Sequence, residues 1–202
     1  MSQVQKMKAI VRVVVLLAAT VWAVSGFAQT ASEDAGRGGH SAGQAIADVL
    51  REVTNADGAF FAAGLIREGA DPSDLASAAM YPTDEIVVVS LTGAQLKQAF
   101  ERSVALFPES NASFLQLSGF EVVFDPSAEP GSRVRRVTAG GSAVDDEKTY
   151  SVAMPSSLGR GGLGYFKIWD RNRIVSTLPN LTVGRALEGK SASASRSRWL
   201  TN

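Results

Sequence analysis

Two periods of apolar residues run through this chain and divide it into elements. Over residues 44–53, Ile46, Val49, Leu50 and Val53 fall on one face at helical spacing, and the spacing predicts a helix. The polar run 55–58 ends it, and residues 59–63 predict a short buried strand. Asp71-Pro72 predicts the next helix start, with Asp71 as N-cap and Pro72 in the first turn, where a missing N–H costs nothing. Residues 85–92 (EIVVVSLT) have the β-branched density of a central strand, and Thr92 then caps a helix from 93 to about 106. That helix buries Leu96, Ala99, Phe100 and Val104 and turns Lys97, Gln98, Glu101 and Arg102 to water.

From residue 113 onward the period falls to two. Phe120, Val122 and Phe124 alternate along one strand, Pro130-Gly131 marks a turn, and residues 134–138 and 150–154 read as strands joined through Gly140-Gly141. Residues 156–164 form a glycine-rich loop, 165–169 a further strand or an aromatic plug, and 182–188 a closing helix. Residues 191–197 (SASASRS) read as a frayed tail. Tight turns between adjacent strands leave no room for crossover helices over 118–154, which excludes an all-parallel sheet. The expected class is α+β: a single domain with a mixed β-sheet and packed helices.

The N-terminal segment has a different character. Lys6 and Lys8 precede an apolar run of twelve residues, 13–24, and Gly26 and Ala28 are small residues suited to a cleavage site before Gln29. The run is short of the ~20 residues that span a bilayer, so residues 1–28 read as a secretory signal peptide. An uncleaved tether is the alternative. The expected organisation is a signal at 1–28, a flexible leader at 29–40, a domain at 41–190 and a tail at 191–202, in a periplasmic or secreted protein with no membrane association after cleavage.

Without residues 1–28 the chain carries 17 basic and 20 acidic residues, a balance of −3 that does not favour nucleic acid as a partner. There is no cysteine, which excludes thiol catalysis and thiolate metal sites. The single histidine, His40, falls in the expected leader, so a two-metal cluster of Asp, His and Asn ligands is not encoded. No catalytic residue, cofactor or metal is assigned. Residues 159–164 satisfy G-x-G-x-x-G, but Tyr-Phe-Lys-Ile-Trp follows in place of an amphipathic helix that would hold a pyrophosphate.

Several blocks carry a resemblance. GQAIADVLREVTNADGAFF (43–61), IVVVSLTG (86–93), AQLKQAFERSV (94–104), FLQLSG (114–119), DPSAEPGSRV (125–134) and TYSVAM (149–154) occur in the order seen in the C-terminal domain of the 5′-nucleotidases, and the chain resembles that domain alone from about residue 43 to 166. The resemblance implies a domain that holds a nucleoside, while a separate metallophosphoesterase domain hydrolyses the phosphate ester. In the family the base is gripped by two aromatic rings, one from a Pro-Phe-Gly-Asn segment and one from an Asn-Phe pair ahead of a Gly-Gly-Asp-Gly loop. An Asn and an Arg from an Asn-Gly-Gly-Gly-Ile-Arg turn and the loop's Asp add polar contacts.

Most of these positions differ here. The turn reads Ala62-Ala63-Gly64-Leu65-Ile66-Arg67, keeping the Arg as Arg67 but not the Asn. The first aromatic segment reads Tyr81-Pro82-Thr83-Asp84, with Pro82 at the ring position and Tyr81 one residue away. The second reads Ser156-Ser157, and the loop reads Gly161-Gly162-Leu163-Gly164, with Leu163 in place of the acid. Each base–aromatic stack is worth about 1–3 kcal/mol, so losing both rings costs on the order of 2–6 kcal/mol of binding.

The expected function is therefore a non-catalytic binding or accessory module. Its candidate ligand residues are Arg67, Tyr81, Asp84 and Arg160, and its ligand is a nucleotide or other small anion. A surface ion pair with Glu68 or Asp71 is the structural alternative for Arg67. Two other functions stay open. One is the substrate-binding subunit of a split 5′-nucleotidase, completed by a metallophosphoesterase domain on another chain; the other is a protein-interaction domain. Phe114, Tyr165, Phe166 and Trp169 are expected to pack rather than to line a ligand box.

Overall fold

The computed structural model describes residues 34–193 and 196–202; the segment read as a signal peptide lies outside them. Five short α-helices and nine strands are described: α1 Ser41–Thr54, β1 Gly58–Ala62, α2 Leu75–Ala78, β2 Glu85–Thr92, α3 Gly93–Val104, β3 Leu115–Ser118, β4 Phe120–Phe124, β5 Val134–Ala139, β6 Ser142–Ala143, β7 Thr149–Pro155, α4 Ser156–Gly159, β8 Ile174–Thr182, α5 Val183–Leu187 and β9 Trp199–Thr201.

The strands form two mixed sheets rather than one. The first has the order β3-β1-β7-β2-β8 and the second β6-β5-β4-β9. Parallel pairs occur once in each, between β1 and β7 and between β4 and β9. The division corrects one expected connection. Gly140-Gly141 closes a hairpin between β5 and β6, and β7 then crosses to the centre of the other sheet. Alternation explains the difference: β7 buries nearly every residue from Tyr150 to Pro155, as an interior strand does, whereas β5 is half exposed.

Helix α3 lies between the sheets. Its start is fixed by a capping box in which Gln95 N donates to Thr92 Oγ1 (3.2 Å) and Thr92 N donates to Gln95 Oε1 (3.1 Å). Its buried stripe points Phe100 at Phe60 of β1, Phe120 of β4 and Trp199 of β9, with ring centroids 5.6, 6.0 and 5.8 Å away. Helix α1 packs against β1, β3 and β7 and against α5. Gly119 makes the turn from β3 to β4 at φ 78°, where a Cβ would sit 2.2 Å from the carbonyl oxygen of Asp57.

Three other expectations change. The helix expected at Asp71-Pro72 begins at Leu75, capped by Asp74; the Asp71 carboxylate instead accepts from Ser73 N at 2.8 Å. The expected leader's described part, 34–40, is tied to the body. Gln116 Nε2 donates to the carbonyls of Ala35 and Gly38 (2.8 Å each), and His40 N donates to Gln116 Oε1 (2.7 Å). The expected tail contains β9, whose Trp199 is 1 % exposed and donates its indole N–H to Leu115 O at 2.8 Å. Burying one indole within an aromatic cluster stabilises a three-residue strand that has no periodic signal of its own.

Candidate functional site

The chain leaves β1 at Ala62, makes a 3-10 turn over Ala63–Leu65, and bridges Ile66 to Ala79. This bridge holds Arg67. Its backbone N–H donates to Ala78 O at 2.9 Å and its Nε to Ala79 O at 3.2 Å. The ion pair expected with Glu68 or Asp71 is not formed, and the outer guanidinium nitrogens have no hydrogen-bond partner among the described residues. Arg67 lines a cleft of about 860 Å³ together with Asp34, His40, Gly64, Ser110 and Asn111.

Opposite Arg67 the cleft wall is built by the segment expected as leader. Asp34 Oδ1 accepts from Gly36 N (2.8 Å) and Ser110 Oγ (3.0 Å), and its other oxygen pairs with Arg37 at 2.9 Å. His40 is the N-cap of α1, where Nδ1 accepts from Gly43 N at 3.3 Å. An accepting Nδ1 places the imidazole proton on Nε2. Burial lowers the His40 pKa, against an opposing pull from the Asp34 carboxylate. Asn111 is committed to the fold: Nδ2 donates to the carbonyls of Arg102 and Ser103 (3.2 and 3.1 Å), and Oδ1 accepts from Ser113 N at 2.9 Å. Among the described residues the cleft thus offers the unpaired Arg67 guanidinium, one half-buried imidazole, the compensated Asp34 carboxylate and the exposed Glu68 carboxylate, with the cation free to meet a small anion.

The other three sequence candidates do not line this cleft. Tyr81 stands 56 % exposed, two residues beyond the Ala79 carbonyl that holds Arg67. The Asp84 carboxylate accepts from the Ser156 hydroxyl and from Ser157 N (3.0 Å), so both its oxygens are engaged in tying the turn before β2 to α4. These bonds give Asp84 a positional role. Arg160 is exposed at the end of α4, its N–H donating to Ser156 O at 3.0 Å. Asp84 N donates to Tyr81 O at 3.1 Å, so these two share one turn, and of the four candidates only Arg67 lines the cleft.

The positions of the expected rings are equally informative. Pro82 packs beside α5, where a Cβ on Gly184 would lie 2.8 Å from Pro82 Cβ, and Gly184 N donates to Pro82 O at 2.8 Å. The loop after α4 carries Leu163 at φ 53°, a left-handed conformation unusual for a residue with a side chain. Arg102 Nη2 donates to Leu163 O (2.6 Å), and the guanidinium carbon lies 5.3 Å from the Tyr165 ring centroid. Leu163 reaches toward Gly64, where an added Cβ would touch Cδ2 at 3.4 Å and the Ala112 carbonyl at 3.1 Å. Tyr165 is fully buried, stacked on Trp169 with centroids 4.4 Å apart, and its hydroxyl donates to Ser113 O at 2.6 Å. Burial pushes the Tyr165 phenol pKa upward. Residues 165–169 are therefore a plug, built on a 3-10 turn. Phe114, Tyr165 and Trp169 pack in the core as expected, whereas Phe166 is 63 % exposed. Sequence reasoning missed Asp34, His40 and Ser110. The available signal was His40 itself, one residue ahead of the helix that it caps.

Among the described residues, no group of three or more His, Asp or Glu side chains is placed to hold a metal ion.

This two-sheet fold with its Arg67 turn is that of a nucleotidase-type domain, and sequence comparison agrees. The 5′-nucleotidase, C-terminal domain family matches residues 17–170, and the chain belongs to that family. Over 86 residues the chain is 40 % identical to a snake venom 5′-nucleotidase of Crotalus adamanteus, a match covering 39 % of this chain and 15 % of the venom enzyme. It is 35 % identical over 91 residues to the human 5′-nucleotidase, covering 41 % of this chain and 16 % of that protein. The chain thus spans about a sixth of the length of these relatives. The crystal structure of a 5′-nucleotidase precursor from Thermus thermophilus superposes with a TM-score of 0.71 at 22 % identity, over 84 % of this chain and 36 % of that one, and shares the fold.

Proposed function

We propose that this domain is an exported binding or accessory module that takes a small anion, of the nucleotide or phosphate type, in the cleft beside Arg67, and that it carries no catalytic centre of its own. The observation that carries the reading is Arg67, the retained family arginine, whose outer guanidinium nitrogens are unpaired at the cleft wall. Proline and serine stand at the two ring positions, so the reading assigns binding to charge rather than to base stacking. Export rests on the N-terminal segment alone.

The alternative is the substrate-binding subunit of a split 5′-nucleotidase. It is favoured by membership of the 5′-nucleotidase C-terminal domain family, whose domain normally partners a metallophosphoesterase domain.

Thermal-shift titration of the purified chain with phosphate, AMP and adenosine tests the first reading. Saturable stabilisation by phosphate and AMP is expected, adenosine should have little effect, and Arg67→Ala should reduce anion affinity by about tenfold or more. Stabilisation by adenosine equal to that by AMP and indifferent to Arg67 would refute it. Metal-dependent AMP hydrolysis appearing only on mixing with a separately prepared metallophosphoesterase domain would favour the alternative.

A further inference from the structure

Two side chains with unpaired donors line the cleft. One is Arg67, through its outer guanidinium nitrogens, and the other is His40. Gly43 N donates to His40 Nδ1, which leaves the ring proton on Nε2, and Nε2 has no hydrogen-bond partner among the described residues. The ring is held near the arginine turn. Its backbone N–H is fixed on Gln116 Oε1, and a Cβ added to Gly43 would lie 2.7 Å from Ile66 Cδ1. The first turn of α1 is thus seated on the residue that precedes Arg67.

While His40 is neutral, the charges around the cleft do not match a doubly charged anion. Asp34, Arg67 and Glu68 are the charged residues that line it. Arg37 offsets Asp34, whereas Glu68 is exposed and in no ion pair among the described residues. Arg67 therefore faces both Glu68 and any incoming anion. Of the cations on the segment before β9, Arg196 is paired with Glu121 and Arg198 with Asp48 (2.7 Å). Asp71 beside Pro72 and Glu109 beside Ser110 add further acids at the rim, and exposed Lys190 lies outside the lining, its carbonyl accepting from Leu75 N. Among the described lining residues, the imidazole is the one group able to gain a positive charge near neutral pH. In the free chain that gain costs the α1 cap, because a protonated Nδ1 cannot accept from Gly43 N–H. Cap and anion pull the ring in opposite directions.

We propose, resting on the anion reading of this cleft, that His40 is a second, proton-coupled ligand of the anion held by Arg67: Nε2–H donates to the anion, and Nδ1 takes up a proton from solvent as the anion binds. A nearby negative charge favours the charged imidazole, so the ring titrates at higher pH in the complex. By linkage, affinity rises as pH falls through the interval between the bound and free midpoints and levels off below the free one. The site loads doubly charged oxyanions in mild acid and releases them toward alkaline pH.

His40 is the sole histidine of the chain, so NMR of tag-free full-length protein follows its ring directly. Sulfate is the probe, because it does not itself titrate near neutral pH. In saturating sulfate, compared with sodium chloride of equal ionic strength, the His40 midpoint should rise by about half a pH unit or more. Sulfate affinity should increase about threefold or more from about pH 8 to about pH 5. His40→Asn keeps a capping oxygen and should remove most of this pH dependence, with circular dichroism confirming that it is folded. Arg67-dependent stabilisation by sulfate with an unmoved His40 midpoint overturns the proposal and leaves the anion site standing. An absence of saturable stabilisation by sulfate at any pH overturns both. A midpoint that rises as much in chloride, or as much in Arg67→Gln, reports screening rather than binding and also overturns it.

Discussion

At the scale of single residues, the clearest conflict with local preference is Leu163. A left-handed backbone costs an L-residue roughly 1–2 kcal/mol, and only glycine and, less freely, asparagine or aspartate escape it. The family's aspartate at this loop position suits that conformation; the leucine here does not. Arg102 holds the strained carbonyl from outside, and Tyr165 and Trp169 fix the following turn from within. Leu163→Asn should therefore raise stability by about 1 kcal/mol, a melting shift of roughly 2–4 °C for a chain of this size. Leu163→Ile, adding a branch at Cβ, should lower it by about as much. Melting temperatures in the reverse order would show that the contact toward Gly64, rather than the backbone angle, governs this position.

Among the elements, legibility in the sequence followed the strength of the local signal. Helix α3 was readable because a capping box and a four-residue apolar stripe agree, and β2 because five β-branched residues crowd into eight positions. Strand β8 was not read, since nine mostly exposed residues around Pro179 lack alternation. Strand β9 was not read because its partner is set by tertiary contact: Val122 pairs with Trp199, far away in sequence. Arg67 was legible only through family resemblance, and the opposite wall of the cleft, at Asp34 and Ser110, was invisible because nothing local links residues so far apart. Trp199 measures how much a three-residue strand contributes. Its ring lies 4.7 Å from Phe114 and 6.1 Å from Phe124 by centroid. Trp199→Ala should cost about 3–5 kcal/mol. Trp199→Phe should cost less, mainly for the Leu115 carbonyl left without its indole donor. Chemical denaturation midpoints decide it; a loss under about 1 kcal/mol for the alanine variant would return this segment to the status of a tail.

For the whole molecule, the shifted titrating groups other than Tyr165 move in one direction, and this fixes how stability responds to acid. His40 is lowered from 6.5, by burial against the opposing pull of Asp34. Three carboxylates are also lowered from 3.8. Burial pushes Asp57 up but is outweighed by hydrogen bonds from the backbone and hydroxyl of Ser151 and by Lys148 and Arg51. Asp71 is lowered by Ser73, and Asp125 falls to about 2 through the Ser127 hydroxyl and Arg135. In each case the unfolded chain binds a proton that the folded chain declines, so stability must rise with pH across each window. Above the ordinary imidazole value of 6.5 the His40 contribution is fully present, and it is lost as pH falls toward the lowered value in the folded chain. The carboxylate contributions persist to about pH 4 and fade toward about pH 2. Urea midpoints measured against pH should therefore show two falling steps separated by a shallower interval. Protonated His40 has no acceptor for Gly43 N–H and sets a positive charge at the positive end of α1, so the upper step also registers the loss of a helix cap. His40→Asn keeps a capping oxygen without a titrating ring, and it should erase the upper step while leaving the lower one in place. If the upper step survives that substitution, or if acidification from pH 7 to pH 5 stabilises the chain, the assignment of a neutral imidazole to the cleft wall is wrong.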